Sequence, residues 1–170
     1  LDPSRATECV MIPTESRRTA CVSSQIGCPV GCKFCATGLG GHDGNLTAGQ
    51  IVEQVHRLSH LGGGRITNLV FMGMGEPLFN YDNVKKAIEI IMDHSGISLS
   101  RRRITLSTSG IVPEIKKCGD DLGVNLAISL HATNDNLRNE LVPINKKYDI
   151  KQLLDAVRSY ARISNSRRVT

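Results

Sequence analysis

The sequence predicts an α/β fold built on a parallel sheet, and three observations predict it. Short apolar runs without clean alternation, plainest over residues 66–72, suit strands buried on both faces. Between these runs lie stretches whose apolar residues recur at helical spacing. Glycine, proline or a capping residue marks most of the switches from one pattern to the other. Strands alternating with helices imply parallel pairing through crossovers, in either an open doubly wound sheet or an incomplete barrel. Both architectures place their sites at the C-terminal ends of the strands.

Taken in order, an irregular stretch to about Thr19 leads into a short strand over 20–24, followed by a Gly- and Cys-rich loop over 27–45 that is too long to be a mere connector. Thr47 with Gln50 three residues on forms a capping box. Ile51, Val55, Leu58 and Leu61 then recur at helical spacing until Gly62, Gly63 and Gly64 stop the helix. The second strand, 66–72, runs into Gly73-Met74-Gly75-Glu76-Pro77. Asp82 caps a helix carrying Val84, Ala87, Ile88, Ile91 and Met92, and Gly96 closes it. A third strand covers 103–107 and a short helix 113–118. Val124, Leu126, Ile128 and Leu130 alternate as a fourth strand. Helices follow over 134–141 and 149–162, the second carrying Ile150, Leu153, Leu154, Val157 and Tyr160. Four βα units are legible, and a fifth strand is expected to begin near Arg168.

At 170 residues, with 40% hydrophobic and 22% charged, the chain can bury one domain's core. No run approaches the ~20 apolar residues of a membrane span, and 16 Gly with 6 Pro is ordinary, so membrane-spanning, collagenous and disordered classes are excluded. The net charge of +5 suits a phosphate-bearing partner without establishing one. Leu1 in place of Met, and an ending that reads like the opening of a strand, suggest a chain cut at both ends. Localisation therefore rests on chemistry. Cysteines stand at 9, 21, 28, 32, 35 and 118, three of them within eight residues. That spacing points to metal in a reducing compartment rather than to a disulfide scaffold.

Cys28, Cys32 and Cys35 form a C-x3-C-x2-C loop. Structural zinc wants four ligands, and a [4Fe-4S] cluster normally takes four thiolates, so three cysteines leave one metal position open. A zinc knuckle completed by His42 or a distant cysteine is the bland alternative. Glu76, after the second strand, offers a carboxylate to an ammonium, or is simply a solvated residue in a tight turn. Ser107, and Ser129 with Leu130 and His131, sit at the ends of the third and fourth strands, where ligand contacts gather. His131 alone would suit a structural role.

With Phe34 as its aromatic, the cysteine loop resembles the signature of the radical S-adenosylmethionine (SAM) superfamily. The resemblance implies a partial (β/α)6 barrel, here truncated after about four βα units. It also implies a [4Fe-4S] cluster held by the three cysteines, SAM chelating the free iron, and a 5′-deoxyadenosyl radical released on one-electron reduction. Phe34 would lie against the SAM adenine, though core packing is the ordinary use of such a residue.

Longer strings narrow the resemblance: residues 21–28 (CVSSQIGC), 32–38 (CKFCATG), 68–77 (NLVFMGMGEP), 102–110 (RRITLSTSG), 126–132 (LAISLHA) and 141–148 (LVPINKKY). From about Glu8 onward the chain is similar to the RlmN family of dual-specificity rRNA and tRNA adenine-C2 methyltransferases. The Cfr relatives, which methylate adenine C8, share much of this. The resemblance assigns SAM contacts to Gly75, Glu76, Ser107, Ser129, Leu130 and His131. It assigns a transient-disulfide role to Cys21 and a proton-acceptor role to Glu8, which unaided would read as a strand cysteine and a surface glutamate. Cys9 and Cys118 read as small core residues.

The implied reaction uses two SAM molecules: one methylates a protein cysteine, and the other yields the radical that activates that methyl for addition to adenine C2. An electrophilic aromatic carbon requires such a route, because ordinary methyl transfer needs a nucleophile. The methyl-carrying cysteine has no counterpart among these 170 residues. The chain is accordingly expected to be a radical SAM core (1–170) lacking an N-terminal RNA-binding domain and the C-terminal part of the barrel. Expected partners are rRNA, tRNA and an electron donor such as flavodoxin or ferredoxin, with no membrane, in a monomer. The expected location is the cytoplasm, or a plastid or mitochondrion if the source is eukaryotic. Arg17-Arg18, Arg101-Arg102-Arg103, Lys146-Lys147 and Arg167-Arg168 are candidate phosphate contacts, the Arg101 group standing out for its place near a strand end. Two other classes remain open, a zinc-stabilised nucleic-acid-binding module and a radical SAM activase acting on protein.

Overall fold

The computed structural model describes residues 6–61, 63–162 and 169–170. In chain order its strands are β1 Val10–Pro13, β2 Arg18–Cys21, β3 Gln25–Gly27, β4 His42–Asn45, β5 Asn68–Phe71, β6 Ile104–Thr108 and β7 Asn125–Ile128. Its helices are α1 Ala36–Leu39, α2 Ala48–Leu61, α3 Tyr81–Met92, α4 Val112–Asp121, α5 Asp135–Leu141 and α6 Ile150–Arg162. Short 3-10 turns cover Pro77–Asn80, Arg101–Arg103 and Pro143–Lys146.

Five strands form the main sheet in the order β1-β2-β5-β6-β7; β1 is antiparallel to β2 and every other pair is parallel. From β2 onward, position in the sheet follows position in the chain without reversal. A doubly wound sheet must reverse at its switch point, so the order selects the barrel-type arc between the two alternatives. Val169 bridges Leu126 in parallel, with Thr170 N donating to Leu126 O at 3.0 Å and Ile128 N to Thr170 O at 2.8 Å. Where a fifth strand is expected, a single parallel bridge stands beside β7; Arg167 and Arg168 lie outside the described residues.

Burial explains why these segments were legible. Leu69, Phe71, Ile104, Leu106 and Leu126 are buried from the sheet, and Ile51, Val55 and Leu58 of α2 pack with Val84, Ile88 and Ile91 of α3. Helices α4 and α6 form the second packed pair. On β5 and β6 burial alternates, so the expected burial of both strand faces holds for one face only. The other is half covered, as an unclosed arc allows. The capping box forms as expected: Gln50 N donates to Thr47 Oγ1 (3.3 Å) and Thr47 N to Gln50 Oε1 (2.9 Å). Asn134 caps α5 by accepting from Leu137 N at 2.9 Å.

Several expectations need correction. Residues 10–13 are a strand, not irregular: β1 pairs with β2 in register Val10↔Cys21, but Val10 and Ile12 are exposed on the sheet edge and leave no core signature. The 27–45 loop contains α1 and β4, and β4 pairs as a hairpin with β3, which begins ahead of the loop at Gln25. Asp82 does not cap α3, because the chain enters that helix from the 3-10 turn, placing Asp82 in its first turn. Asn80 at the junction spends its amide on Ser24 O (2.8 Å) and Leu46 O (2.7 Å) instead. α3 ends at Met92, before Gly96, and α4 extends to Asp121. β7 stops at Ile128, leaving Leu130 in the following turn. Gly62, expected among the residues that stop α2, lies outside the described residues. Arg101, Arg102 and Arg103 precede β6 and so mark the end of the sheet away from the C-terminal strand ends, contrary to the expectation that they adjoin the site.

Candidate cofactor cleft

At the C-terminal ends of β5, β6 and β7 opens a cleft of about 290 Å³. Its floor is laid by main-chain stitching. Ser24 N donates to Met74 O (2.8 Å), Met74 N to Ser23 Oγ (2.8 Å), and Glu76 N to Gln25 Oε1 (2.8 Å). Residues 23–25, buried after β2, thereby hold the Gly73–Glu76 segment that follows β5. The two glycines are required there. A Cβ on Gly73 would meet the Val22 carbonyl at 2.8 Å, and one on Gly75, at φ 98°, would meet Gln25 Cβ at 2.6 Å.

Glu76 is only 3% exposed. Its Oε2 accepts from both Ser109 N and Ser109 Oγ at 2.7 Å, and its Oε1 accepts from Leu78 N at 3.1 Å. Burial pushes this carboxyl above the usual carboxylate range, against the opposing pull of the Ser109, Thr108 and Leu78 donors. The solvated-turn reading of Glu76 is thereby excluded: the group is held, buried and faces the cleft.

Cys28, Cys32 and Cys35 all line the same cleft and none is in a disulfide. Cys28 N donates to Gly41 O (2.7 Å), and Cys35 N donates to Cys32 O (3.1 Å) at the head of α1. Burial raises the Cys28 thiol, and burial plus the neighbouring Cys28, Cys35 and Glu76 pushes Cys32 up to about 11, with Arg138 opposing. Thiols so placed are protonated near neutrality and become thiolates only against a cation. Among the described residues no three of His, Cys, Asp and Glu stand close enough together to share one metal ion. The sulfurs open instead onto a shared cleft beside a carboxylate. That arrangement fits a polynuclear centre, each cysteine taking its own iron, better than a single tetrahedral zinc.

The structure also brings Phe34, Gly75, Ser107, Ser129 and His131 to this cleft. Phe34 is 52% exposed, so it is not a core residue, and its ring lies 4.1 Å from that of His131, tilted by 48°. His131 adopts φ 58°, rare for a non-glycine residue, in the tight turn after β7. Leu130 does not reach the cleft; it packs on the core while its carbonyl accepts from Arg138 Nε at 3.1 Å. Cys21, half-buried at the end of β2, stands beside the rim: Met72, which lines the cleft, gives it a backbone hydrogen bond, while burial raises its thiol. Glu8 is exposed, and only its carbonyl is tied in, accepting from Ser23 Oγ at 2.5 Å.

Sequence reasoning missed Thr108 and Ser109, which lie in the quoted 102–110 string, and it missed Arg138, Asn145 and Met72. Arg138 left no signal, since an arginine on a short, mostly polar helix reads as solvent-facing.

Three comparisons bear on this site. The family model for the radical SAM superfamily matches residues 22–169. A protein of Bradyrhizobium diazoefficiens named dual-specificity RNA methyltransferase RlmN is 54% identical over 179 aligned positions, covering 100% of this chain and 45% of its own. One of the same name from Rhodopseudomonas palustris strain TIE-1 is 55% identical, covering 96% of this chain and 44% of its own. The crystal structure of a radical SAM methyltransferase from Sphaerobacter thermophilus superposes with TM-score 0.92 at 46% identity, over 96% of this chain and 49% of that one. The chain therefore spans a little under half the length of these relatives.

Proposed function

Because this chain belongs to the radical SAM superfamily, we propose that it is the cofactor-holding core of an RNA methyltransferase that modifies C2 of an adenine in 23S rRNA and tRNA. One observation carries the reading: three cysteines and a buried carboxylate share one cleft at the C-terminal ends of parallel strands. The identities of 54% and 55% to RlmN proteins support C2 over C8 as the position modified.

Cys28, Cys32 and Cys35 would hold a [4Fe-4S] cluster, and SAM would bind beside it. Together these cofactors supply the one-electron cleavage of SAM that makes a carbon radical, the chemistry an electrophilic aromatic carbon demands. The chain's own residues do the rest. Glu76, held by Ser109 and Leu78, presents its carboxylate to the SAM ammonium. Phe34 and His131 offer a face for the adenine. Gly75, Ser107 and Ser129 bound the space around ribose and carboxylate, and Leu130 acts through its main chain to fix the turn carrying His131. Cys21 at the rim would exchange with a second cysteine during product release, and exposed Glu8 would accept a proton from the RNA adduct, roles that rest on the family resemblance. Residues 1–170 form the core domain; RNA binding, the methyl-carrying cysteine and docking of a flavodoxin- or ferredoxin-type donor are assigned to the longer protein, working as a monomer in the cytoplasm. None of the described helices is long and apolar enough to cross a membrane.

The test is to reconstitute the full-length protein anaerobically, supply SAM, reductant and unmodified RNA, and resolve the nucleosides by mass spectrometry. 2-Methyladenosine is expected. 8-Methyladenosine alone would reassign the position, and stoichiometric zinc without iron or sulfide would remove the reading.

A further inference from the structure

Arg138 of α5 is the one arginine or lysine among the described residues that is fully buried, at 0% exposure. A buried guanidinium is costly unless its donors are satisfied and its charge is offset. The donors are satisfied by groups of the site. Nη2 donates to Ser109 O (2.7 Å) and Ser129 O (3.3 Å), Nε to Leu130 O (3.1 Å), and Nη1 to Asn145 Oδ1 (2.6 Å). One side chain thus ties the segment after β6 to the turn after β7. Ser109, whose carbonyl takes the guanidinium, uses its N–H and hydroxyl to hold Glu76. A buried cation and a buried carboxylate therefore face one another across a single residue. α5 also touches the cysteine loop, because Lys33 N donates to Leu141 O at 3.0 Å.

The charge has no direct carboxylate partner among the described residues. Asp135 is reached only through Asn145, whose amide donates to Asp135 Oδ1 at 2.8 Å. Glu76 is reached only through Ser109.

We propose that Arg138 is the positioning residue of the cofactor site: its fork locks Glu76, through Ser109, and the Ser129–His131 turn into one arrangement, and its buried positive charge, carried on the helix bonded to the cysteine loop, favours reduction of what that loop holds. The inference rests on the cluster-and-SAM reading above and deepens it. It separates two roles that substitutions can pull apart. Lysine keeps the charge but is a point donor without the planar fork; methionine removes both.

The test uses the full-length protein, reconstituted anaerobically, with SAM affinity read by equilibrium binding and the cluster potential by a redox titration followed by electron paramagnetic resonance. Arg138→Lys is expected to bind SAM about tenfold more weakly, the worth of a lost bond to a charged group, at an unchanged potential. Arg138→Met is expected to lose SAM affinity similarly and also to be harder to reduce, by about tenfold in the reduced-to-oxidised ratio at fixed poise, or 59 mV for one electron. A role in folding alone would lower thermal stability and leave both readouts in place. If the Arg138 variants do not fold, Asn145→Ala, which keeps the cation and removes one acceptor, is expected to weaken SAM binding in the same direction; unchanged binding there overturns the proposal. Wild-type protein that takes up cluster and SAM, with variants that match it in both readouts, overturns the role of Arg138 alone. Wild-type protein that takes up neither removes the reading beneath it.

Discussion

A ligand needs an anion, and the cleft holds its thiols back from being one. Cys32, pushed up to about 11, is neutral near pH 7. Cluster uptake must therefore release protons, and its apparent affinity should rise as pH rises toward that value. Proton release measured on anaerobic loading checks this; uptake independent of pH would sink it. Substituting alanine for Cys28, Cys32 or Cys35 should abolish iron binding, whereas Cys9→Ala and Cys118→Ala should keep it, because neither lines the cleft. Glu76 titrates with a consequence of the same sign. Its carboxyl is raised, recognition of an ammonium needs the ionised form, and SAM affinity should be constant above the raised pKa and fall as pH drops through it. Glu76→Ala should weaken SAM binding by about tenfold or more at neutral pH, the scale of a charge-assisted bond; an unchanged isotherm would take Glu76 out of the site. At this scale legibility followed chemistry. The cysteines were readable because thiols at that spacing have few other uses. Arg138 was not, because a guanidinium that bonds carbonyls across two loops leaves no periodic trace.

Elements were legible where burial imposed a period. α2 and α3 could be read from their apolar stripes, and β5 to β7 from short apolar runs, since each buries one face against the core. β1 and the β3–β4 hairpin bury little and were missed for that reason. Gly75 belongs to neither group: its motif was visible, but its necessity came from Gln25, 50 residues earlier in the chain and 2.6 Å from a would-be Cβ. Gly75→Ala should cost about 1–3 kcal/mol of stability, combining an unfavourable φ with a clash against backbone, and should displace Glu76. Thr47→Ala offers the contrast. It should cost about 1 kcal/mol by removing the α2 cap and leave SAM binding intact, which denaturation and binding measured on the same samples would show.

For the molecule as a whole, the order of strands was only half determined by the sequence. Alternating patterns require a parallel sheet, but only the observed run β2-β5-β6-β7 decides between arc and doubly wound sheet. Since relatives are more than twice as long, these 170 residues alone should produce no methylated adenosine from SAM, reductant and RNA, even with cluster bound. Appearance of 2-methyladenosine would show that a cysteine present here can carry the methyl. The arginines at 101–103, remote from the strand ends that form the cleft, should tolerate charge reversal with little change in RNA affinity. The far edge of the sheet carries a different consequence. β2 is already paired on both sides, with β5 on one and the antiparallel β1 on the other, and β1 ends its pairing on Pro13, which has no N–H to offer a neighbour. A strand added beyond Val169 cannot hydrogen-bond to β2, so any closure of the sheet must run through the outer edge of β1. The two edges of the arc are therefore unlike: one is antiparallel and ends on proline, the other is parallel and carries the Val169 bridge.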